Sequence, residues 1–200
     1  MDLKNLDIEF LLDKSGSMAT NDCPGGKSRW QYAQETTTAL ATLAEKHDPD
    51  GITVVPFAGS YKVHEGVTAA KVAQVFQEHS PMGSTNTAAV LKARLDACFD
   101  RKAKGIGKST CMFVLTDGAP DDQQAVADTI IAATKRMDRD EEIAIQFIQV
   151  GLDAGATAFL KYLDDNLVSK GAKFDIVDTV KIAEVENFTI DALIEKSFAD

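Results

Sequence analysis

Ile8-Glu9-Phe10-Leu11-Leu12-Asp13-Lys14-Ser15-Gly16-Ser17 decides how the rest of the chain is read. Its first half is a short, mostly apolar run and predicts a buried strand over 8–12. Its second half turns polar at once. Asp13, Ser15 and Ser17 are spaced two apart, so in an extended or turning loop they point to one side. Gly16 permits the tight bend between them.

The same pattern of apolar run and polar break recurs outward from this stretch. Ile52-Thr53-Val54-Val55, Cys111 to Leu115, Ile143 to Val150 and Phe174 to Val177 read as further strands. The weakly apolar Tyr61 to Gly66 reads as a short edge strand. Between them lie segments with helical spacing. Trp30, Ala33, Thr37, Leu40 and Ala44 predict a helix over 28–46. Val72, Val75 and Phe76 predict a short helix, and Leu91, Leu95, Cys98 and Phe99 one over about 86–101. Val126, Ile130, Ala133 and Met137 mark another, with helices near 156–164 and 187–198 completing the chain. Strands alternating with helices imply an α/β fold: a doubly wound, mainly parallel sheet covered on both faces, with an antiparallel edge strand. No repeat or low-complexity stretch interrupts it, so residues 1–200 are expected to form a single domain.

Ligands of open α/β sheets bind beyond the carboxyl ends of the strands. Three polar segments should meet there: Asp13 to Ser17, Gly83-Ser84-Thr85-Asn86-Thr87, and Thr116-Asp117-Gly118. They offer two carboxylates and several hydroxyls, a set suited to a hard cation such as Mg²⁺, with Mn²⁺ or Ca²⁺ as alternatives. A cation held mainly by neutral hydroxyls keeps enough charge to attract an external carboxylate.

Asp13-x-Ser15-x-Ser17, then Thr85, then Asp117 resembles the metal-ion-dependent adhesion site of the von Willebrand factor type A superfamily. The resemblance spans nearly the whole chain. It implies that Ser15, Ser17 and Thr85 touch a metal, that Asp13 and Asp117 act largely through waters and hydrogen bonds, and that an Asp or Glu of a protein partner completes the coordination. Some members couple that event to movement of the C-terminal helix. Ala172 to Asp178, with the absence of a secretion signal, is similar to a cytoplasmic bacterial branch associated with tellurium resistance.

Charge and cysteines point the same way. Lys and Arg number 21 against 31 Asp and Glu, a formal charge of −10, which repels nucleic acid and anionic membranes. No apolar stretch approaches the roughly 20 residues of a membrane span. Met1 to Asp7 does not read as a signal peptide. Cys23, Cys98 and Cys111 are far apart and read as free thiols of a reducing compartment, so a cytoplasmic protein is expected.

Each feature has a plainer reading. Thr85 can be a helix N-cap, Asp117-Gly118 a turn, and Lys14 a solvated lysine. Asp121-Asp122 is expected to cap the next helix, Asp164-Asp165 and Asp138 to Glu142 to be solvated faces, and Trp30 to lie in the core. Asp153 is a minor candidate for the rim of the site. Gly26-Lys27-Ser28 and Gly107-Lys108-Ser109 mimic the end of a phosphate-binding loop, but Asn21 and Lys102 stand where its first glycine is needed. His47, His64 and His79 lack zinc-ligand spacing, and Cys23 has no matched histidine.

Three functions follow. The first is a metal-dependent protein-binding module with Met18, Asn21, Ser84, Asn86, Ala119 and Pro120 as rim. The second is a magnesium-dependent phosphoryl-transfer enzyme with Asp13 as nucleophile; Ser15, two residues on, is a poor general acid for it. The third is a scaffold, or an adaptor to an ATPase, with a purely structural metal.

Overall fold

The computed structural model describes residues 5–185 and 188–198. Among the described residues six strands form one sheet: β1 (Leu6–Asp13), β2 (Ile52–Phe57), β3 (His64–Val67), β4 (Ser109–Thr116), β5 (Ile143–Gln149) and β6 (Val177–Lys181), in the order β3-β2-β1-β4-β5-β6. Every pairing is parallel except β2 with β3, so the expected antiparallel edge is present. The helices are α1 (Arg29–Ala44), α2 (Ala69–Gln77), α3 (Thr87–Ala103), α4 (Gln123–Thr134), α5 (Ala154–Asn166), α6 (Ile182–Val185) and α7 (Ile190–Ser197).

Side chains alternate across β1, which lies at the centre of the sheet. Leu6, Ile8, Phe10 and Leu12 enter one buried cluster with α1, α2 and α7. Leu11 enters the other, with α3, α4 and α5. Phe10 stacks on Phe113 of β4 at 5.2 Å, in register across the parallel pair. Helix α1 starts where Ser28 and Gln31 form a reciprocal capping box, and Trp30 is buried against Phe76 of α2 at 4.5 Å.

Two elements are displaced from their expected places. The last strand begins at Val177 rather than ending there. Ahead of it Ala172 and Ile176 are buried outside the strand; Thr134 Oγ1 accepts from the Lys173 backbone and Met137 O from its ammonium, and Ile176 O accepts from Ile145 N of β5 at 2.7 Å. The final helix starts at Ile190, capped by Thr189; Asn187, its expected start, lies outside the described residues. Among the described residues, no helix is long and apolar enough to cross a membrane.

Candidate metal centre

The C-terminal end of β1 carries Asp13 into a fully buried position between β2 and β4. Its two oxygens are both engaged. Oδ1 accepts from the Ser15 backbone N–H at 2.7 Å, and Oδ2 from Thr116 Oγ1 at 2.7 Å. Burial pushes this carboxyl above the ordinary aspartate range; the hydrogen bonds from Thr116 and Ser15 oppose that, and the nearby Asp117 charge adds to it. A cation at this edge would relieve the same strain.

The chain then turns through a 3₁₀ segment, Gly16–Ala19. Ser15 Oγ lies 3.1 Å from Ser17 Oγ, and Ser17 Oγ donates to Asp117 Oδ1 at 2.8 Å. Adjacent oxygens on an octahedral ion with bonds of about 2.1 Å are roughly 3 Å apart, so this spacing suits Mg²⁺. Four of the five predicted residues, Asp13, Ser15, Ser17 and Asp117, thus share one hydrogen-bonded cluster at the sheet edge.

Thr85, the fifth, lies in the neighbouring loop, which two backbone hydrogen bonds tie to the first. Gly16 N donates to Gly83 O at 3.1 Å, and Met82 N to Lys14 O at 2.7 Å, which sews the two loops together. Gly83 makes this turn at φ 87°, where a side chain would be strained. Thr85 is not the N-cap of α3; Asn86 fills that role by accepting from Ala89 N. Instead Thr85 N donates to Asp121 Oδ1 at 3.0 Å, and Asp121 N returns a bond to Thr85 O. So only Asp122 of the acidic pair caps α4.

Sequence reasoning missed Arg29. Its Nη1 donates to Asp117 Oδ2 at 2.8 Å, while Nε and Nη2 hold the exposed Asp22. Gly151, at φ 77°, lets the guanidinium pass: a Cβ there would sit 2.8 Å from Arg29 Nε. A capped-helix start gave no hint of this role, since the partners are 7 and 88 residues away.

The rim also differs from expectation. Met18 is buried in the core, not exposed. Asn21, Ser84 and Asn86 are exposed, and Ala119 and Pro120 are half-buried. Leu152 and Met82, exposed by 85% and 66%, are large apolar side chains in loops at this end of the sheet; Leu152 lines an open cavity with Ser17, Arg29, Asp117 and Asp153. Asp153 reaches that cavity while capping α5. Cys23, read as an incidental surface residue, is buried in its loop, and all three cysteines are unpaired. A second grouping emerges elsewhere: β3 and the end of α2 bring His64 and His79 together, with Nε2 atoms 3.3 Å apart, although their spacing in sequence argued against a shared ligand.

Comparison with known proteins agrees with this fold. The profile of the von Willebrand factor type A domain matches residues 8–119, more than half of the chain. No curated protein sequence matches it. Among solved structures, the VWA domain of SpRpn10 is similar with a TM-score of 0.63 at 13% identity, covering 96% of this chain and 94% of that one. The manganese-loaded TRAP protein of Plasmodium vivax is similar with a TM-score of 0.61 at 13% identity, covering 98% and 74%. The pilus adhesin SpaC of Lactobacillus rhamnosus GG gives 0.64 at 15% identity; the match covers 99% of this chain and 31% of the adhesin. At these identities the likeness is one of fold.

Proposed function

Since the chain belongs to the von Willebrand factor type A domain family, we propose that it is a divalent-cation-dependent protein-binding module. Ser15, Ser17 and Thr85 hold the ion, and Asp13 and Asp117 orient them. An Asp or Glu of a partner protein supplies the remaining ligand. The observation that carries this reading is the pair of hydroxyls 3.1 Å apart, flanked by two carboxylates already committed to hydrogen bonds. The ion keeps much of its charge when its protein ligands are mainly neutral, which favours an incoming carboxylate. Mg²⁺ suits the oxygen set best; a manganese-loaded relative makes Mn²⁺ a reasonable second. Leu152 and Met82 would give such a partner an apolar rim around the polar centre.

Phosphoryl transfer fits less well. Asp13 is wholly buried and both its oxygens accept hydrogen bonds, which leaves a poor nucleophile. The three buried, unpaired cysteines support a reducing, cytoplasmic setting.

The test is calorimetric titration of chelator-stripped protein with Mg²⁺, Mn²⁺ and Ca²⁺ in turn, beside Asp13→Ala. One saturable site that disappears in the variant supports the reading. Screening displayed Glu- and Asp-containing peptides with and without chelator then tests the partner chemistry. Peptide capture indifferent to chelator and to Thr85→Ala would instead favour a structural metal.

A further inference from the structure

We propose that His64, Glu78 and His79 form a second, separate metal site, one that takes a borderline transition-metal cation of the zinc class. His64 sits on β3, where it pairs with Val54 of β2. His79 follows α2, and its backbone N–H donates to Phe76 O at 3.3 Å. Phe76 is itself buried against Trp30. Both imidazoles are therefore carried on backbone fixed by sheet pairing and core packing.

The geometry between them is that of two ligands on one ion. The Nε2 atoms are 3.3 Å apart, and the rings are nearly perpendicular at 87°. Two nitrogens bound at about 2.0–2.1 Å to a tetrahedral zinc are roughly 3.3 Å apart. A Glu78 carboxylate oxygen lies within 4.8 Å of a ring nitrogen of each histidine, close enough for a side-chain rotation to bring it in as third ligand. Water would fill the fourth position.

Neutral imidazole is the form that ligates, and both rings favour it. Burial lowers the pKa of each; Lys62 at both rings, and His64 and Lys14 at His79, lower it further, while the Glu78 charge opposes the shift. Lys62 also holds Glu78 at 3.2 Å, so it competes with a metal for that carboxylate. The donor set separates this site from the oxygen-lined edge: imidazole suits zinc, whereas hydroxyl and carboxylate suit magnesium.

The experiment titrates chelator-stripped full chain with Zn²⁺ by calorimetry, in saturating Mg²⁺, with Co²⁺ absorption as a readout of geometry. One zinc per chain is expected, with tetrahedral-type Co²⁺ bands. His64→Gln and His79→Gln should each weaken zinc binding at least about 10-fold. Lys62→Gln should strengthen it, which a purely structural role would not produce. Asp13→Ala should leave the zinc isotherm in place, so a failure of the first site is told apart from a failure of this one. The proposal is overturned if either histidine variant, folded by circular dichroism, binds zinc as wild type does. It is equally overturned if wild type binds no more zinc than the double variant, leaving the pair as a hydrogen bond alone.

Discussion

Arg29 donates through Nη1 to Asp117 Oδ2 at 2.8 Å, and the Asp117 side chain has no solvent exposure. The rest of the guanidinium holds Asp22, itself 40% exposed. One arginine thus joins a buried carboxylate of the candidate centre to the protein surface. Its charge balances Asp117 before any ion arrives, and it also repels an arriving cation.

Arg29→Ala should therefore have two opposed effects. Without metal, it strands a buried carboxylate and should cost about 3 kcal/mol. With Mg²⁺, the same carboxylate should bind the ion more tightly, so magnesium should raise the melting temperature more than in wild type. Thermal unfolding with Mg²⁺ and with chelator measures both. An equal magnesium-induced rise in the two proteins would rule out the competition.

Asp121 should matter through Thr85. Its carboxylate and backbone N–H both bind the Thr85 backbone; Asp121→Ala removes the carboxylate's bond and loosens the loop while leaving the five proposed metal-site residues intact. Supports of this kind typically cost 10-fold or more in metal affinity, and a loss of about 10-fold in Mg²⁺ affinity is expected. Titration at fixed pH checks it; an unchanged affinity would mean that Asp121 does not position the loop.

What the sequence revealed and what it hid divide along physical lines. That Asp13, Ser15, Ser17 and Asp117 meet at one sheet edge was legible because one loop carries the first three at a fixed spacing and the fourth follows a strand; for Thr85 only the nearness of its loop was. Glu9 was not. It sits inside the apolar run that predicts β1, and only the fold supplies Arg94 of α3, 85 residues on. Arg29 and the His64–His79 pair were hidden for the same reason. Periodicity reports which face a residue occupies but not which residue faces it across the core. The strand at Val177 was misplaced because buried apolar loop residues resemble a strand when only their hydrophobicity is read.

Glu9 and Arg94 form a bidentate ion pair at 2.7 and 2.8 Å, exposed by 1% and 5%. Glu9→Ala should cost about 4 kcal/mol, because it leaves Arg94 charged in the core. Glu9→Leu with Arg94→Met should recover most of that loss, since an apolar pair of similar volume needs no charge compensation. Arg101, which also contacts Glu9 at 3.2 Å, keeps Asp7 in the double variant. Denaturant unfolding of the single and double variants decides the matter; a double variant no more stable than Glu9→Ala contradicts the expectation.

Asp48 should make stability depend on pH in the direction opposite to most carboxylates. It is buried beneath the start of β1, where it accepts from Ile8 N at 2.8 Å. Burial pushes its carboxyl from 3.8 up to about 7; the Ile8 bond opposes the shift, and a hydrogen bond with Asp50 and the Asp50 and Asp7 charges reinforce it. Glu9 and Glu65 line the same hollow, with Arg101 and Lys108 as the cations nearby. Between the two values the folded chain holds a proton that the unfolded chain has lost. This group's contribution is therefore complete below pH 3.8 and is lost as pH rises through about 7. Asparagine keeps an oxygen for Ile8 N and never ionises. Asp48→Asn should thus match wild type in melting temperature near pH 4, exceed it progressively toward pH 7, and hold a constant advantage above pH 8. Melting curves recorded across that range test the sign directly: parallel profiles would show that Asp48 is ionised in the fold at no cost, and a variant that loses ground as pH rises would reverse the assignment.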